Sequence, residues 1–121
     1  MELSDRVPDM DENCLFCKLV ARQVPAQVVY EDQDALAFVD IAPKAPTHVL
    51  VIPKVHIADV VALGADPATA AALVRAIGAT AKTLELTDFR TVLNTGAGVG
   101  QSVFHVHAHL LAGRPMEWPP G

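Results

Sequence analysis

The sequence predicts one α+β domain, with about five strands in a mostly antiparallel sheet, one long helix and one short helix. The chain has 121 residues, of which 51% are hydrophobic and 19% charged, so it can bury one ordinary core. Short apolar runs alternate with turn residues, and one alanine-rich segment has the period of a helix. The chain has no visible internal repeat that would indicate a second domain.

The first elements along the chain are a tail and a short helix. Residues 1–13 are acidic and contain proline, so we expect a mobile tail before a domain that spans residues 14–121. Residues 14–22 predict one or two helical turns, which Pro25 ends. The tail lacks the order of a signal peptide, and no apolar run approaches the roughly 20 residues of a membrane span. We therefore expect a cytoplasmic protein without a membrane partner.

Three apolar runs predict the next three strands. They are Val28–Tyr30, Ala35–Val39 and Val49–Ile52. The polar residues 31–34 between the first two runs predict a hairpin turn. Pro43 and Pro46 precede the third run and Pro53 closes it, which is typical of a short central strand.

A long helix and two further strands complete the predicted fold. Asp66 and Pro67 form a helix start, with an N-cap residue followed by proline at the first helical position. The helix is expected from Ala68 to about Leu84, because apolar residues recur on one face. That stripe consists of Leu73, Ile77, Ala81 and Leu84. Residues 89–94 and 104–111 predict the last two strands.

Three histidines, His105, His107 and His109, alternate with apolar residues in the last predicted strand. On a strand they would share one face, about 6.5 Å between neighbours, so one metal ion could not bind all three. Imidazole is nucleophilic when neutral and titrates near neutral pH. We interpret the triad as a covalent catalytic site with His107 as nucleophile. Strand histidines without a role are the alternative.

A glycine-rich segment, residues 94–102, leads into the histidines. It leads into a strand and lacks the Lys-Ser/Thr ending of a Walker motif, so it matches neither common nucleotide fingerprint. Its backbone N–H groups could still bind an anion. The net charge of −5, without a basic cluster, argues against nucleic-acid binding. A phosphate ligand would therefore be held by imidazoles and backbone N–H groups.

These segments together resemble the histidine triad family, and more narrowly its nucleotide-binding branch, the purine nucleoside phosphoramidases. The resemblance runs from about Cys14 to Gly121. Its most specific parts are residues 38–43, 46–54, 94–109 and 118–121. The resemblance implies a homodimer whose sheets join into one continuous sheet, with a purine nucleotide site in each subunit. Trp118 would reach towards the partner's active site, or would serve as a packing anchor of the dimer.

The resemblance also implies a role for individual residues. His107 would attack the α-phosphorus of a nucleoside 5′-phosphoramidate, while His105 and His109 stabilise charge or pass protons. His48 would help to hold the triad, and Ser102 would assist the departing amine. Asp40 would bind the ribose hydroxyls and Ile41 the base. The remaining nucleotide contacts would come from Asn94, Gly100, Gln101, Ser102, Val103, His107 and His109. This chemistry requires no cofactor.

Cys14 and Cys17 are half a zinc site by their spacing, although a redox pair or two buried thiols are alternatives. They are too close to staple a secreted fold. Bacterial members of the resembled family imply a structural zinc ion, held here by Cys14, Cys17, His48 and His105. His56 is expected on the surface, without a role.

Two other functions stay open beside the phosphoramidase. One is a dinucleoside polyphosphate hydrolase or phosphorylase of the same superfamily, which the position of Ser102 and the Trp-Pro-Pro-Gly terminus disfavour. The other is a zinc-stabilised scaffold that binds a nucleotide without physiological turnover.

Overall fold

The computed structural model describes residues 11–121, which form a five-stranded antiparallel sheet with helices on both faces. The strands follow the spatial order β1-β2-β3-β5-β4. They are β1 (Val28–Glu31), β2 (Ala35–Val39), β3 (Thr47–Pro53), β4 (Arg90–Val92) and β5 (Ala108–Ala112). The α+β class and the antiparallel sheet predicted from the sequence are confirmed. The first ten residues of the predicted tail lie outside the described residues.

The helix α3 (Pro67–Thr83) covers one face of the sheet. The Asp66 carboxylate accepts a hydrogen bond from the Thr69 backbone N–H at 3.1 Å, which confirms the predicted N-cap. Leu73 and Ala81 of the predicted stripe are buried, and Ile77 and Leu84 pack against the same core.

The opposite face of the sheet carries the short helix α1 (Leu15–Val20). Successive side chains of a strand point to opposite faces. In β3, Val49 and Val51 therefore pack in the core under α3, while Leu50 and Ile52 pack with α1. His48 lies two residues before Leu50 on the same strand, so its side chain also points to the α1 face.

A hydrogen-bonded turn joins β1 to β2, as the sequence predicts. The Asp32 carboxylate accepts hydrogen bonds from the backbone N–H groups of Asp34 and Ala35, each at 2.8 Å. At the other end of the sheet, Gly113 has φ +96° and lies against Pro46. This contact fixes the chain just after β5 beside the chain just before β3.

Two features of the fold differ from the sequence-based expectation. The fifth strand begins only at Ala108, so His105 and His107 lie in an irregular segment before it. The backbone N–H of Val106 donates to the Ile57 carbonyl at 2.6 Å, which draws this segment away from the sheet ladder. A further short helix, α2 (Val60–Leu63), was not predicted because its valines are poor helix formers. Within residues 11–121, no helix is long and apolar enough to cross a membrane.

Candidate functional site

His107 lies in the irregular segment directly before β5 and is 7% exposed. Its Nδ1 lies 2.8 Å from the carbonyl oxygen of His105. A carbonyl oxygen only accepts hydrogen bonds, so Nδ1 carries the proton and the neutral ring has its lone pair on Nε2. The ring is thus held in the tautomer that can attack an electrophile through Nε2.

His48 and His109 form a hydrogen-bonded pair beside this ring. Nδ1 of His48 accepts the backbone N–H of Lys44 at 3.0 Å, so its Nε2 carries the proton. That Nε2 donates to Nδ1 of His109 at 2.9 Å, which leaves the His109 proton on Nε2. The ring centroids of His107 and His109 are 5.0 Å apart. The Lys44 backbone N–H therefore determines the tautomer of His48, and His48 in turn determines that of His109.

Burial keeps both members of this pair neutral. It lowers the pKa of His109 to about 4, and the neighbouring His107 and His48 act in the same direction. Burial also lowers the pKa of His48, against the opposing effect of the Asp40 carboxylate 3.4 Å away. Neutral imidazoles can donate and accept hydrogen bonds at the same time, so this cluster can relay a proton.

The glycine-rich loop is shaped by the buried side chain of Gln101. Its Oε1 accepts the Gly96 backbone N–H at 2.9 Å, and its Nε2 donates to the carbonyls of Ala58 and Val103. Gly100 has φ +104°, and the Asn94 amide lies beside it. Both ends of the Gln101 side chain are therefore used, so Gln101 can reach a ligand only through its backbone.

The remaining predicted contact residues lie more openly. Ile41 is fully exposed. The preceding residue, Asp40, accepts the Ala42 backbone N–H at 2.8 Å through Oδ1, while its Oδ2 lies near His48. Ser102 and Val103 line a cavity of about 420 Å³, together with Cys14 and other residues. Within residues 11–121, the Ser102 hydroxyl makes no hydrogen bond to a triad imidazole.

A second cluster consists of Cys14, Cys17, His56 and His105. Nδ1 of His105 lies 3.4 Å from the Cys14 sulfur and 3.6 Å from the Cys17 sulfur, and Nδ1 of His56 lies 3.4 Å from the Cys17 sulfur. A tetrahedral zinc ion with bonds of about 2.3 Å to sulfur and about 2.0 Å to nitrogen sets such atoms about 3.5 Å apart. The four side chains therefore fit a Cys₂His₂ zinc site.

The surroundings of this cluster suit metal binding. Nε2 of His105 donates to the Pro53 carbonyl at 2.7 Å, which leaves Nδ1 free to act as a ligand. Nε2 of His56 lies 3.9 Å from the Asp11 carboxylate. Burial raises the pKa of Cys17 to about 11 and lowers that of His105 to about 4, so without a cation these two side chains are neutral. A bound cation would stabilise the thiolate forms.

The cluster in the structure differs from the predicted zinc set in its fourth member, because His56 and not His48 lies beside Cys14, Cys17 and His105. In the β3–β5 ladder Thr47 pairs with Ala112 and Val51 with Ala108. Continuing this register places His105 beside residue 54, about 20 Å along the strand from His48. His56 was expected on the surface without a role, yet it is half-buried in the cluster. The pairing register is the signal that identifies it.

The structure also corrects the prediction that all three triad histidines share one strand face. His109 alone lies in β5, where it meets His48, whereas His105 turns towards the cysteines. His107 lies between these two groups. The three imidazoles therefore occupy two environments, one suited to a metal ion and one open to nucleophilic chemistry.

The chain resembles known proteins in sequence and in fold. The family model described as the HIT domain matches residues 21–116. An uncharacterized HIT-like protein of Synechococcus elongatus is 47% identical over 114 residues, covering 93% of this chain and 100% of the relative. A 14 kDa zinc-binding protein of Zea mays is 43% identical over 124 residues, covering 92% and 90%. The crystal structure of a HIT family hydrolase from Legionella pneumophila has a TM-score of 0.84 and 46% identity, covering 90% and 100%.

Proposed function

This chain belongs to the HIT domain family, and from that membership we propose a hydrolase that cleaves the P–N bond of purine nucleoside 5′-phosphoramidates. The observation that carries the proposal is the tautomer of His107, whose Nδ1–H is bound to the His105 carbonyl. In the neutral ring this leaves the lone pair on Nε2, and His107 is buried. The structural relative from Legionella pneumophila, named a HIT family hydrolase, supports hydrolysis in general.

In the first step, Nε2 of His107 attacks the α-phosphorus. The Nε2–P bond forms while the P–N bond breaks, and the amine leaves with a proton donated by the Ser102 hydroxyl, which regains one from the water consumed in the second step. The Nδ1–H hydrogen bond to the His105 carbonyl stabilises the positive charge that the ring gains. We assign His109 to the phosphate oxygens, since its remaining proton is on Nε2, and Ser102 to the departing amine.

In the second step, water attacks the nucleotidyl-histidine. The O–P bond forms, the Nε2–P bond breaks, and the nucleoside monophosphate leaves. The neutral pair of His48 and His109 can accept and pass on the proton that the water loses. Both steps use the same imidazole as nucleophile and then as leaving group, so His107 ends in its starting tautomer.

We assign nucleotide binding to the residues around this ring. Asp40 would bind the ribose hydroxyls, and the exposed Ile41 side chain would pack on the purine. The α-phosphate would meet the loop residues Asn94, Gly100, Gln101, Ser102 and Val103, and His107 and His109. For Gln101 the proposed contact is its backbone, because its side chain is occupied.

We propose a structural zinc ion in the cluster of Cys14, Cys17, His56 and His105. When bound, zinc would stabilise the two thiolates and cross-link α1 to the chain segments that carry the two histidines. No step of the reaction requires it. The zinc-binding relative from Zea mays supports this assignment.

The quaternary state and location are also proposals. We propose a cytoplasmic homodimer, in which β4 at the edge of the sheet and the 83% exposed Trp118 lie near the partner subunit. In that arrangement Trp118 would contribute to the partner's nucleotide site.

Trapping of the covalent intermediate tests the proposed reaction. The protein is mixed with adenosine 5′-phosphoramidate, quenched within milliseconds and measured by intact mass spectrometry, in parallel with amine release. We expect an added mass of one adenylyl group in the wild type and none in His107→Ala, which still binds AMP. Release of the amine without an adduct in the wild type would overturn the mechanism. Cleavage of diadenosine polyphosphate in preference to the phosphoramidate would favour the polyphosphate hydrolase, and no turnover of either the scaffold.

A further inference from the structure

Cys14 and Cys17 are two free thiols that no step of the proposed reaction uses. Cys14 is the N-cap residue of α1, and its sulfur accepts the Cys17 backbone N–H at 3.4 Å. The backbone N–H of Lys18 donates to the Cys14 carbonyl at 3.1 Å, so residues 14–18 close one helical turn. Such a turn sets α-carbons three residues apart at about 5 Å. This separation lies within the roughly 4.4–6.8 Å that a disulfide bond spans, so the backbone already suits one.

The two sulfur atoms lie close to each other as well. The four donor atoms of the cluster all lie within 4.8 Å of one another. Nδ1 of His105 lies 3.4 Å from the Cys14 sulfur and 3.6 Å from the Cys17 sulfur, so both thiols meet at one imidazole nitrogen. Rotation about the two Cα–Cβ bonds can bring the sulfurs to the roughly 2.05 Å of a disulfide bond.

The two thiols differ in their access to small molecules. Cys14 lines the cavity of about 420 Å³ beside Ser102, whereas Cys17 is absent from its wall within residues 11–121 and is only 2% exposed. Nε2 of His105 donates to the Pro53 carbonyl, so Nδ1 of the neutral ring can accept the Cys14 S–H. Cys14 is therefore the thiol that meets a small oxidant first, and Cys17 is the thiol that can react with it next.

We propose that Cys14 and Cys17 are an oxidation site, at which a hydroperoxide converts the two thiols into a disulfide. In the first step the Cys14 sulfur attacks the outer peroxide oxygen. The S–O bond forms, the O–O bond breaks, and the departing oxygen takes the thiol proton and leaves as an alcohol or as water. This step produces a sulfenic acid at Cys14.

In the second step the Cys17 sulfur attacks the Cys14 sulfur. The S–S bond forms, the S–O bond breaks, and the hydroxyl group leaves as water with the Cys17 thiol proton. Over both steps the two sulfurs lose two electrons, which the peroxide oxygens accept. A dithiol reductant reverses the change by thiol–disulfide exchange.

Oxidation would also remove two of the four donors of the cluster, and this part of the inference rests on the proposed zinc site. Thiolate sulfur is the form of cysteine that binds a metal ion, and a disulfide carries no such charge. When both cysteines are held as thiolates, the same two steps take their two protons from solvent and leave the ion without its sulfur ligands. The cluster would then have a reduced, metal-bound state and an oxidised, metal-free state.

The test treats the zinc-loaded protein with hydrogen peroxide and measures its intact mass, together with zinc release to a chromogenic chelator. We expect the mass to fall by two hydrogens, with one zinc ion released per disulfide, and dithiothreitol to restore the starting mass. Peptide mapping locates the bond, since no trypsin site lies between the two cysteines. Thiols that stay reduced while the methionines become oxidised, or a disulfide between two chains, would overturn the proposal. If the disulfide forms in a protein that never held zinc, the zinc site fails while the oxidation site stands.

The variants Cys14→Ser and Cys17→Ser test the order of attack, because each removes one sulfur from the same helical turn. In Cys17→Ser we expect the reaction to stop at the sulfenic acid of Cys14, which dimedone captures. We expect this variant to consume peroxide about tenfold faster, or more, than Cys14→Ser, whose remaining thiol is shielded. Equal rates, or dimedone capture in Cys14→Ser alone, would overturn the proposal.

A measurement on the wild type replaces this comparison should either variant fail to fold. The zinc-loaded protein is treated with limiting iodoacetamide, and the label on each cysteine is counted by peptide mapping. We expect Cys14 to carry about tenfold more label than Cys17. Equal labelling, or more label on Cys17, would overturn the proposal.

Discussion

Nε2 of His48 lies 2.9 Å from Nδ1 of His109, and the pair joins the neighbouring strands β3 and β5, with His48 buried and His109 half-buried. Replacement of His48 by leucine removes the donor and leaves a half-buried acceptor without this partner. Such a loss costs about 1–3 kcal/mol, so we expect kcat to fall by roughly 10- to 100-fold. Steady-state kinetics on a phosphoramidate measures it, and an unchanged kcat would show that His109 does not depend on this bond.

The proposed zinc site leads to a second prediction, which tests whether His56 or His48 is the fourth ligand. We expect Cys17→Ser and His56→Ala to lower the zinc content from about one ion per chain towards zero, and to lower the unfolding temperature. His48→Ala should keep its zinc, because His48 faces His109 and Asp40. Elemental analysis of the purified proteins measures this. Loss of zinc in His48→Ala but not in His56→Ala would restore the set predicted from sequence.

The buried histidine pair predicts a pH dependence of stability. The pKa of His109 is lowered from 6.5 to about 4, and that of His48 is also lowered, so the unfolded chain binds more protons in this interval. Stability then increases with pH wherever the unfolded state binds more protons. The zinc-loaded protein should lose stability as the pH falls from about 6.5 towards 4, as measured by urea unfolding at several pH values. A His109→Gln variant should show a shallower dependence, and an identical slope would contradict this origin.

Two glycines predict opposite effects of the same substitution. A Cβ at Gly113 would lie 2.8 Å from Cβ of Pro46, at φ +96°, so Gly113→Ala should lower the free energy of unfolding by about 2–4 kcal/mol. A Cβ at Gly78, inside α3, would meet nothing within 4 Å. Gly78→Ala should therefore raise the free energy of unfolding by about 0.5–1 kcal/mol. Denaturant titrations compare the two variants, and equal effects would contradict the packing at Pro46.

The fully exposed Ile41 predicts a loss of binding without a loss of stability. Partial burial of its side chain against a purine is worth about 1 kcal/mol, so Ile41→Ser should raise the Kd for AMP about fivefold. Val61 is 74% exposed on α2, and Val61→Ser is the matched control, expected to change neither quantity. Calorimetric titration with AMP measures the Kd of each variant. Equal affinities of the two variants would show that Ile41 does not contribute to nucleotide binding.

Much of the fold is predictable because its signals are local. The bounds of β2 match the apolar run Ala35–Val39, and α3 begins at the residue after its Asp66 N-cap. The short α2 escaped prediction because Val60 and Val61 obscure a helical pattern, although Asp59 caps it with a hydrogen bond to the Ala62 backbone N–H at 2.9 Å. Local chemistry thus determines where long elements start, but it does not reveal a helix of one turn.

The site was less predictable because its geometry depends on contacts between distant segments. The alternation around His107 indicates a strand, yet the hydrogen bond from Val106 to Ile57 lifts this segment out of the sheet. The choice between His48 and His56 as a metal ligand depends on the register between β3 and β5. Neither contact leaves a trace in the local pattern of the chain.

The side chains of β3 alternate between the two faces of the sheet, which limits the mutations that this strand can accept. A single inserted or deleted residue within Thr47–Pro53 would slip the strand by one position and exchange its two faces. His48 would then move under α3, and Val49 would take its place beside His109. The hydrophobic core and the hydrogen-bonded histidine pair would be lost in one event, since both depend on the same seven residues. This strand can therefore diverge by substitution, but not by a change in length.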